Sequence, residues 1–379
     1  MRTTGFRSVV LYILLAFFLG GIGYFTVNLV LNGEKWVVQP YNGHIYADDA
    51  TADTGRITDR NNILLAESQE GKRIYSENSD IRRGLLHTVG DSSGYIGTSV
   101  QAELRSQLMG YNIFTGLNRT PLTAIGTNNM KLTVDAPLSA AAYEGLGGKN
   151  GAVLLYNYHT GEVLCKVSAP TYDPMEVPED LSENPEYEGV FVDNTISSAF
   201  VPGSIFKLVT AACAMENLSD WQELTFDCGG EVELGNGVIT CLGTHGTQDI
   251  SEALGNSCNV YFSLLAEKLG NEKLQATAEE MGFNKSFSFS DFSTAPSKID
   301  LTTANALERG WAGVGQFTVT ANPTHMLVLM GAIANGGKIT PPRITEKGIF
   351  SAPQKEELLV LEEMDQPKHL QEELHHLYF

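Results

Sequence analysis

The chain opens on an unbroken apolar run. From Ser8 to Leu31 no side chain is charged, and Arg2 and Arg7 stand ahead of the run. A helix needs roughly 20 apolar residues to cross a bilayer core, so the pattern predicts a single N-terminal transmembrane helix. Positive residues stay on the cytoplasmic side, which places the rest of the chain outside the cell membrane. A cleaved signal peptide is the competing reading. Its apolar part spans about 7–15 residues and ends at a small-residue cleavage site; this run is longer and shows no such site. Residues 1–34 are assigned to a cytoplasmic tip and anchor.

Residues 35–148 alternate short apolar segments with Gly- and Asn-rich breaks. Leu132-Thr-Val-Asp135 reads as a strand, followed by a helix that starts near Pro137, where a first-turn proline is tolerated. That helix should stop at Gly147-Gly148. Residues 151–170 read as a β-hairpin, two β-prone runs flanking the turn His159-Thr-Gly-Glu162. Residues 171–193 are a long acidic loop with three prolines, and loops of that length are often functional. Ser204 to about Asn217 is apolar on nearly all faces, which predicts a buried helix. Further helices are predicted over Ser251–Leu269, near Glu272–Met281 and near Pro323–Asn335, ending at Gly336-Gly337. The charged, leucine-spaced stretch Gln354–Phe379 is also predicted helical. The mixture is α/β (α+β), with the second domain over 149–379.

Composition narrows the function classes. A length of 379 residues favours two domains at about 150 residues each, and 42% hydrophobic residues can fill two cores. The formal charge of -20 repels phosphate backbones, so no nucleic-acid partner is expected. Five cysteines occur: Cys165, Cys213, Cys228, Cys241 and Cys258. Outside the membrane a disulfide is permitted. Cys228 and Cys241 flank the hairpin-like CGGEVELGNGVITC; they are either a pair or, like the others, free thiols. No C-x-x-C occurs and the histidines lack zinc-like spacing, so no metal and no cofactor are expected.

Candidate chemistry centres on FVPGSIFKLV, residues 200–209. Pro202-Gly203 breaks the chain and puts Ser204 in a first helical turn, with Lys207 three residues on and on the same face. An amine among Ile205, Phe206, Leu208 and Val209 is desolvated, which lowers its pKa. Neutral, it can take the serine proton. The helix N-terminus offers N–H groups to a developing oxyanion. Ser-x-x-Lys is also expected by chance in a chain of this length, and a helix-capping serine with a snorkelling lysine is the simpler account of those four residues alone. Ser257-Cys-Asn259, 53 residues on within an apolar helical run, shifts the balance. Its hydroxyl and amide can relay a proton and hold a substrate amide. Ser76-Glu-Asn78 and Ser182-Glu-Asn184 match the same pattern in polar loops.

At this point the sequence resembles the class B penicillin-binding proteins, the serine D,D-transpeptidases that cross-link peptidoglycan. Gly55-Arg-Ile-Thr-Asp-Arg-Asn-Asn-Ile-Leu-Leu-Ala66 resembles the family's membrane-proximal pedestal signature, and LTVDAPLSAAAYEGL its linking segment. GAVLLYNYHTGEVLCKVSAPTYDP resembles the first two strands of the penicillin-binding, serine β-lactamase-like fold. FVPGSIFKLVTA resembles the nucleophile helix, HGTQDISEALGNSCNVYF the second motif, and Ala312-Gly-Val-Gly-Gln-Phe317, ANPTHM and IANGGKITPP the following segment. The order and spacing look most like elongation- or sporulation-type enzymes of Gram-positive bacteria. The resemblance implies a non-catalytic pedestal over 35–148 and a transpeptidase domain over 149–379. It implies that Ser204 attacks a D-Ala-D-Ala stem peptide, that Lys207 is the general base, that Ser257 shuttles the proton and that Asn259 binds the substrate amide. The implied partners are peptidoglycan stem peptides, β-lactams, the membrane and a membrane glycan polymerase.

Three departures stand out. The family's third motif, Lys-Thr/Ser-Gly, is absent; His159-Thr-Gly161 has its shape but precedes Ser204 and reads as a turn. The chain is expected to be cut short before that motif, leaving two of five strands with uncovered apolar faces. Asn194-Thr-Ile replaces a more usual Asn-Arg ahead of the nucleophile, altering a loop contact. Two other functions remain open: a catalytically inactive cell-wall scaffold or polymerase partner, and a β-lactamase-like sensor or hydrolase. The long pedestal and the anchor argue against a free hydrolase.

Overall fold

The computed structural model describes residues 2–37, 54–69, 72–112, 116–117, 128–289 and 292–346. The helix predicted over Gln354–Phe379 lies outside them. The apolar run is one helix, Arg2–Val37. Within it Ser8–Gly33 is long and apolar enough to cross a membrane, and its most apolar stretch is not covered by the rest of the chain. Polar side chains near its end bond within the helix: Thr26 Oγ1 donates to Ile22 O and Asn28 Nδ2 to Tyr24 O. That is what a lipid surround, with no water to bind them, requires.

Beyond the anchor, a four-stranded sheet is ordered Lys72–Tyr75, Leu64–Gln69, Ile57–Thr58, Met130–Lys131. The last pair is parallel and the others antiparallel. The strand predicted at Leu132–Asp135 falls two residues earlier, and Leu132 makes only an isolated bridge to Thr345. The reason is local. Asp135 is committed to capping the helix Ala136–Leu146, where its carboxylate accepts from Leu138 N. That helix carries Pro137 in its first turn and ends at Gly147 in the left-handed region, as the pattern predicts. Asp59, fully buried, accepts from Asn61 N, Ile63 N and Ala136 N, tying the sheet to this helix.

The hairpin is present as Gly151–Tyr156 and Val163–Ala169, paired antiparallel. Gly161 N donates to Asn157 O, so His159-Thr-Gly161 forms the hairpin turn. The second strand is almost wholly buried; the first is half-buried along its length, with Leu155 exposed. One apolar core runs across the expected boundary at 148/149: Ile57, Leu85 and Val134 share it with Val163, Ile196, Val328 and Ile344. A second core surrounds the central helix Asn259–Leu269, with Phe206, Val209, Phe262, Leu265 and Ala312.

The acidic loop 171–193 is folded down rather than free. Tyr172, Leu181 and Val190 pack with Leu86 and Ile96. Arg82 donates to both carboxylate oxygens of Asp173 at 2.7 and 2.5 Å. Where the loop ends, Lys166 on the second hairpin strand forms an ion pair with Asp193, both essentially fully buried. Thr195 N also donates to Asp193, and Asn194 Nδ2 donates to Ala169 O at 2.9 Å. The Asn194-Thr-Ile segment therefore does make its own contact: Thr195 O accepts from Thr324 Oγ1 at 2.7 Å. This approach to Ser204 is thereby fastened to the hairpin. A few residues on, Gly203 N donates to Gly315 O at 3.0 Å. Gly315 has φ +79, and a Cβ there would lie 2.1 Å from Gly203 O, so only glycine lets these two turns approach so closely.

Removing one partner of a buried ion pair leaves an uncompensated charge, at about 3–5 kcal/mol. We expect Lys166→Met to lower the stability of the full chain by that order in urea denaturation. A loss below about 1 kcal/mol would show that Asp193 is otherwise satisfied.

Candidate active site

Ser204 and Lys207 lie at the join of two helix types. Gly203–Phe206 is a 3-10 turn and Lys207–Asn217 is α-helical. The predicted helix is thus present, with a tighter first turn. In a 3-10 turn residues i and i+3 eclipse, which stacks the lysine directly over the serine. Ser204 is exposed, as are its neighbours Val201 and Ile205, whereas Lys207 is 1% exposed. The hydroxyl therefore faces solvent while the amine behind it does not.

The helix predicted without interruption over Ser251–Leu269 is two helices, Ile250–Gly255 and Asn259–Leu269. Ser257 sits between them at φ +50. Its N–H donates to Leu254 O, and Cys258 N donates to Ala253 O. This is the paired-bond helix ending in which the residue after the cap is left-handed, a place usually taken by glycine. Cys258 then caps the next helix, its sulfur accepting from Tyr261 N. The break turns Ser257 and Asn259 toward the lysine, which a continuous helix would not do.

Lys207 Nζ lies 3.2 Å from Ser204 Oγ, 3.0 Å from Ser257 Oγ, 2.6 Å from Ser257 O and 2.9 Å from Asn259 Oδ1. Phe262, one helical turn beyond Asn259, places its ring 5.9 Å from the same nitrogen. All four predicted residues are brought together. Burial pushes the Lys207 pKa down to about 8, against smaller opposing pulls from Cys241 and Cys258. Two of the four oxygens, the Ser257 carbonyl and the Asn259 side-chain oxygen, can only accept. They suit the two N–H bonds of a neutral amine and leave its lone pair to the two hydroxyls.

Two further groups were not foreseen. Asn259 Nδ2 donates to Thr240 O at 3.0 Å, and Asn259 N donates to Cys241 Sγ at 3.3 Å. Both belong to the end of a hairpin, Glu231–Leu234 with Gly237–Thr240. The hairpin was legible in CGGEVELGNGVITC, but its docking against Asn259 has no signal in either segment. Cys228 and Cys241 are not bonded to each other; all five cysteines are free.

The profile of the penicillin binding protein transpeptidase domain matches residues 151–374. Peptidoglycan D,D-transpeptidase PbpA of Mycolicibacterium smegmatis is 26% identical over 365 residues, spanning 85% of this chain and 70% of that protein. Stage V sporulation protein D of Bacillus subtilis is 29% identical over 234 residues, spanning 58% of this chain and 35% of that protein. Penicillin-binding protein A from M. tuberculosis, solved as a ceftriaxone acyl-enzyme complex, superposes with a TM-score of 0.67 at 22% identity, covering 79% of this chain and 73% of that one. At that identity the likeness is one of fold. Because the family profile spans more than half its length, this chain belongs to the penicillin binding protein transpeptidase family.

Proposed function

We propose that this protein is a membrane-anchored peptidoglycan D,D-transpeptidase acting through a Ser204 acyl-enzyme. The observation that carries the reading is the placement of Lys207 Nζ between two hydroxyls and two acceptor-only oxygens. The neutral amine takes the Ser204 Oγ proton as Oγ attacks the carbonyl of the penultimate D-alanine. The oxyanion meets the Ser204 N–H, which in the first turn has no intrahelical acceptor. The tetrahedral adduct collapses, the C–N bond breaks, and the proton held by Lys207 passes through Ser257 Oγ to the departing D-alanine amine. Asn259 holds the substrate amide. The amine of a second stem peptide then attacks the ester and loses a proton to the same base, which passes it to Ser204 Oγ as the ester C–O bond breaks.

The Ser8–Gly33 helix supports single-pass anchoring with the remainder outside the cell membrane. A pedestal over 35–148 would hold the transpeptidase domain, 149–379, at the stem peptides, beside a membrane glycan polymerase. β-Lactams would be trapped at Ser204 as mimics of D-Ala-D-Ala.

Full-length chain in membranes should be labelled by a fluorescent penicillin, and Ser204→Ala should abolish the label. Loss of the general base in Lys207→Ala should slow acylation by about 10²–10⁴-fold. A folded wild-type chain that takes no label would sink the proposal. Label followed by rapid hydrolysis, with no cross-linked product from two stem peptides, would point instead to a hydrolase.

The acylation rate should also depend on pH in a defined direction. With Lys207 at about 8, the neutral fraction falls about tenfold per pH unit below that value and saturates above it. The rate should rise toward pH 8 and then level. A flat profile between pH 6 and 8 would remove Lys207 as the base.

Ser257→Gly separates stability from chemistry. A left-handed non-glycine residue costs about 1–2 kcal/mol, so the variant should be as stable as wild type or more so. It should nonetheless acylate more slowly, because the relay hydroxyl is gone. Unchanged stem-peptide and penicillin acylation would exclude that role for Ser257.

A further inference from the structure

The four donors Cys228 Sγ, Cys241 Sγ, His245 Nδ1 and Cys258 Sγ converge behind Ser257 and Asn259. All of their ligand atoms lie within 4.8 Å of one another. Cys228 and Cys258 are buried; Cys241 and His245 are partly so. His245 Nδ1 lies 3.5 Å from Cys228 Sγ and 3.6 Å from Cys241 Sγ, and Cys241 Sγ lies 3.9 Å from Cys258 Sγ. A tetrahedral zinc ion, with Zn–S about 2.3 Å and Zn–N about 2.0–2.1 Å, sets its ligand atoms about 3.8 Å apart for S···S and about 3.6 Å for S···N. The three spacings given match these values, and the remaining three lie within 4.8 Å, so small side-chain shifts close the tetrahedron. A disulfide would need two of these sulfurs to close to about 2.05 Å.

We propose that this cluster is a structural zinc site, and that the ion positions the Ser257–Asn259 turn. Three soft thiolates and one imidazole in tetrahedral array select Zn²⁺ over harder cations. Four protein ligands leave no open position, which makes the site structural rather than catalytic. Backbone donors face two of the sulfurs. Asn259 N donates to Cys241 Sγ and Tyr261 N to Cys258 Sγ, each at 3.3 Å. Cys258 also stands at the N-terminus of the eleven-residue central helix, whose dipole favours negative charge. The sequence expectation of no metal rested on the lack of C-x-x-C and of zinc-like histidine spacing. Here folding assembles the ligands from four places: the end of the strand Phe226–Cys228, the end of the hairpin, the loop that follows it, and the start of the central helix.

The consequence reaches the reaction site through one covalent step. Cys258 is the residue between Ser257 and Asn259, and Cys241 accepts the Asn259 N–H. An ion joining these two sulfurs fixes the hairpin to the turn that presents the Ser257 and Asn259 oxygens to Lys207. None of the ligands touches the reacting atoms, so their role is positioning.

The test uses the full chain purified in detergent without chelator. Zinc content by plasma mass spectrometry should be about one per chain, and the same in Ser204→Ala, so this result does not depend on acylation at Ser204. Cys228→Ser combined with His245→Ala should lower it at least tenfold. Replacing zinc by Co²⁺ in wild type should give sulfur-to-cobalt charge-transfer bands and the visible bands of a tetrahedral ion. Cys228, Cys241 and Cys258 should resist alkylation until a chelator is added, and stripping the metal should slow penicillin acylation and move the pH midpoint of that rate, because the Ser257 and Asn259 oxygens are then no longer held at Lys207. Wild-type protein that carries no zinc as purified and takes none up from added Zn²⁺ would overturn the proposal. So would a Cys228–Cys241 disulfide, read as a mass 2 Da lower, or bound zinc that survives the double variant.

Discussion

An amine with no water around it must be satisfied by the protein, and the catalytic region is arranged around that demand at Lys207. The side chain is 1% exposed yet has four oxygens within 3.2 Å. Those oxygens come from two places far apart in sequence, the turn holding Ser204 and the turn holding Ser257 and Asn259. Burial lowers the affinity of the amine for a proton, and the two acceptor-only oxygens keep the neutral form from being left unpaired. If either turn moved, a buried polar group would lose its partner, at about 1–3 kcal/mol. Position and protonation state are therefore coupled: the contacts that hold the lysine in place are those that ready it to accept a proton.

Each of the two turns is held from behind by groups outside the reaction. On the Ser204 side, the buried Lys166–Asp193 pair and the Asn194 amide fasten the incoming chain to the hairpin, and Gly315 lets a second loop press against Gly203. On the Ser257 side, the sulfur and imidazole cluster and the Asn259–Thr240 hydrogen bond fasten the turn to another hairpin. The reacting groups thus sit on short turns, but the turns are tied to regular elements. Supporting contacts of this kind hold a site within the fraction of an ångström that proton transfer and attack require.

Much of this was legible in the sequence where the determinants are local. The helix Ala136–Leu146 carries its first-turn proline and its terminal glycine within a dozen residues, and its limits followed from them. The apolar run, the first hairpin with its turn, and Ser204 with Lys207 were legible for the same reason. What failed to show was set by tertiary contact. The strand at 130–131 is placed by pairing with Ile57 rather than by its own pattern. The core shared by Val134 and Val163 crosses a boundary that composition marks clearly. The cysteine and histidine donors lie 13, 4 and 13 residues apart, and only the packing of a hairpin against a helix end brings them together.

The break at Ser257 shows most directly why a helical pattern can mislead at a functional site. Residues 251–269 are apolar at helical spacing, and Gly255 and Asn256 both suit a left-handed position better than serine does. The chain nevertheless puts serine there and leaves Gly255 inside the helix. A sequence optimised for the turn alone would exchange them. The strained residue persists because its hydroxyl and carbonyl are the groups that meet Lys207, and because Ser257 N, Cys258 N and the cap at Cys258 hold the turn from both ends. Strain of about 1–2 kcal/mol is small beside a buried amine left without partners on that side. The local preference for glycine yields to the lysine's need for oxygen, and the helix breaks where the chemistry requires it.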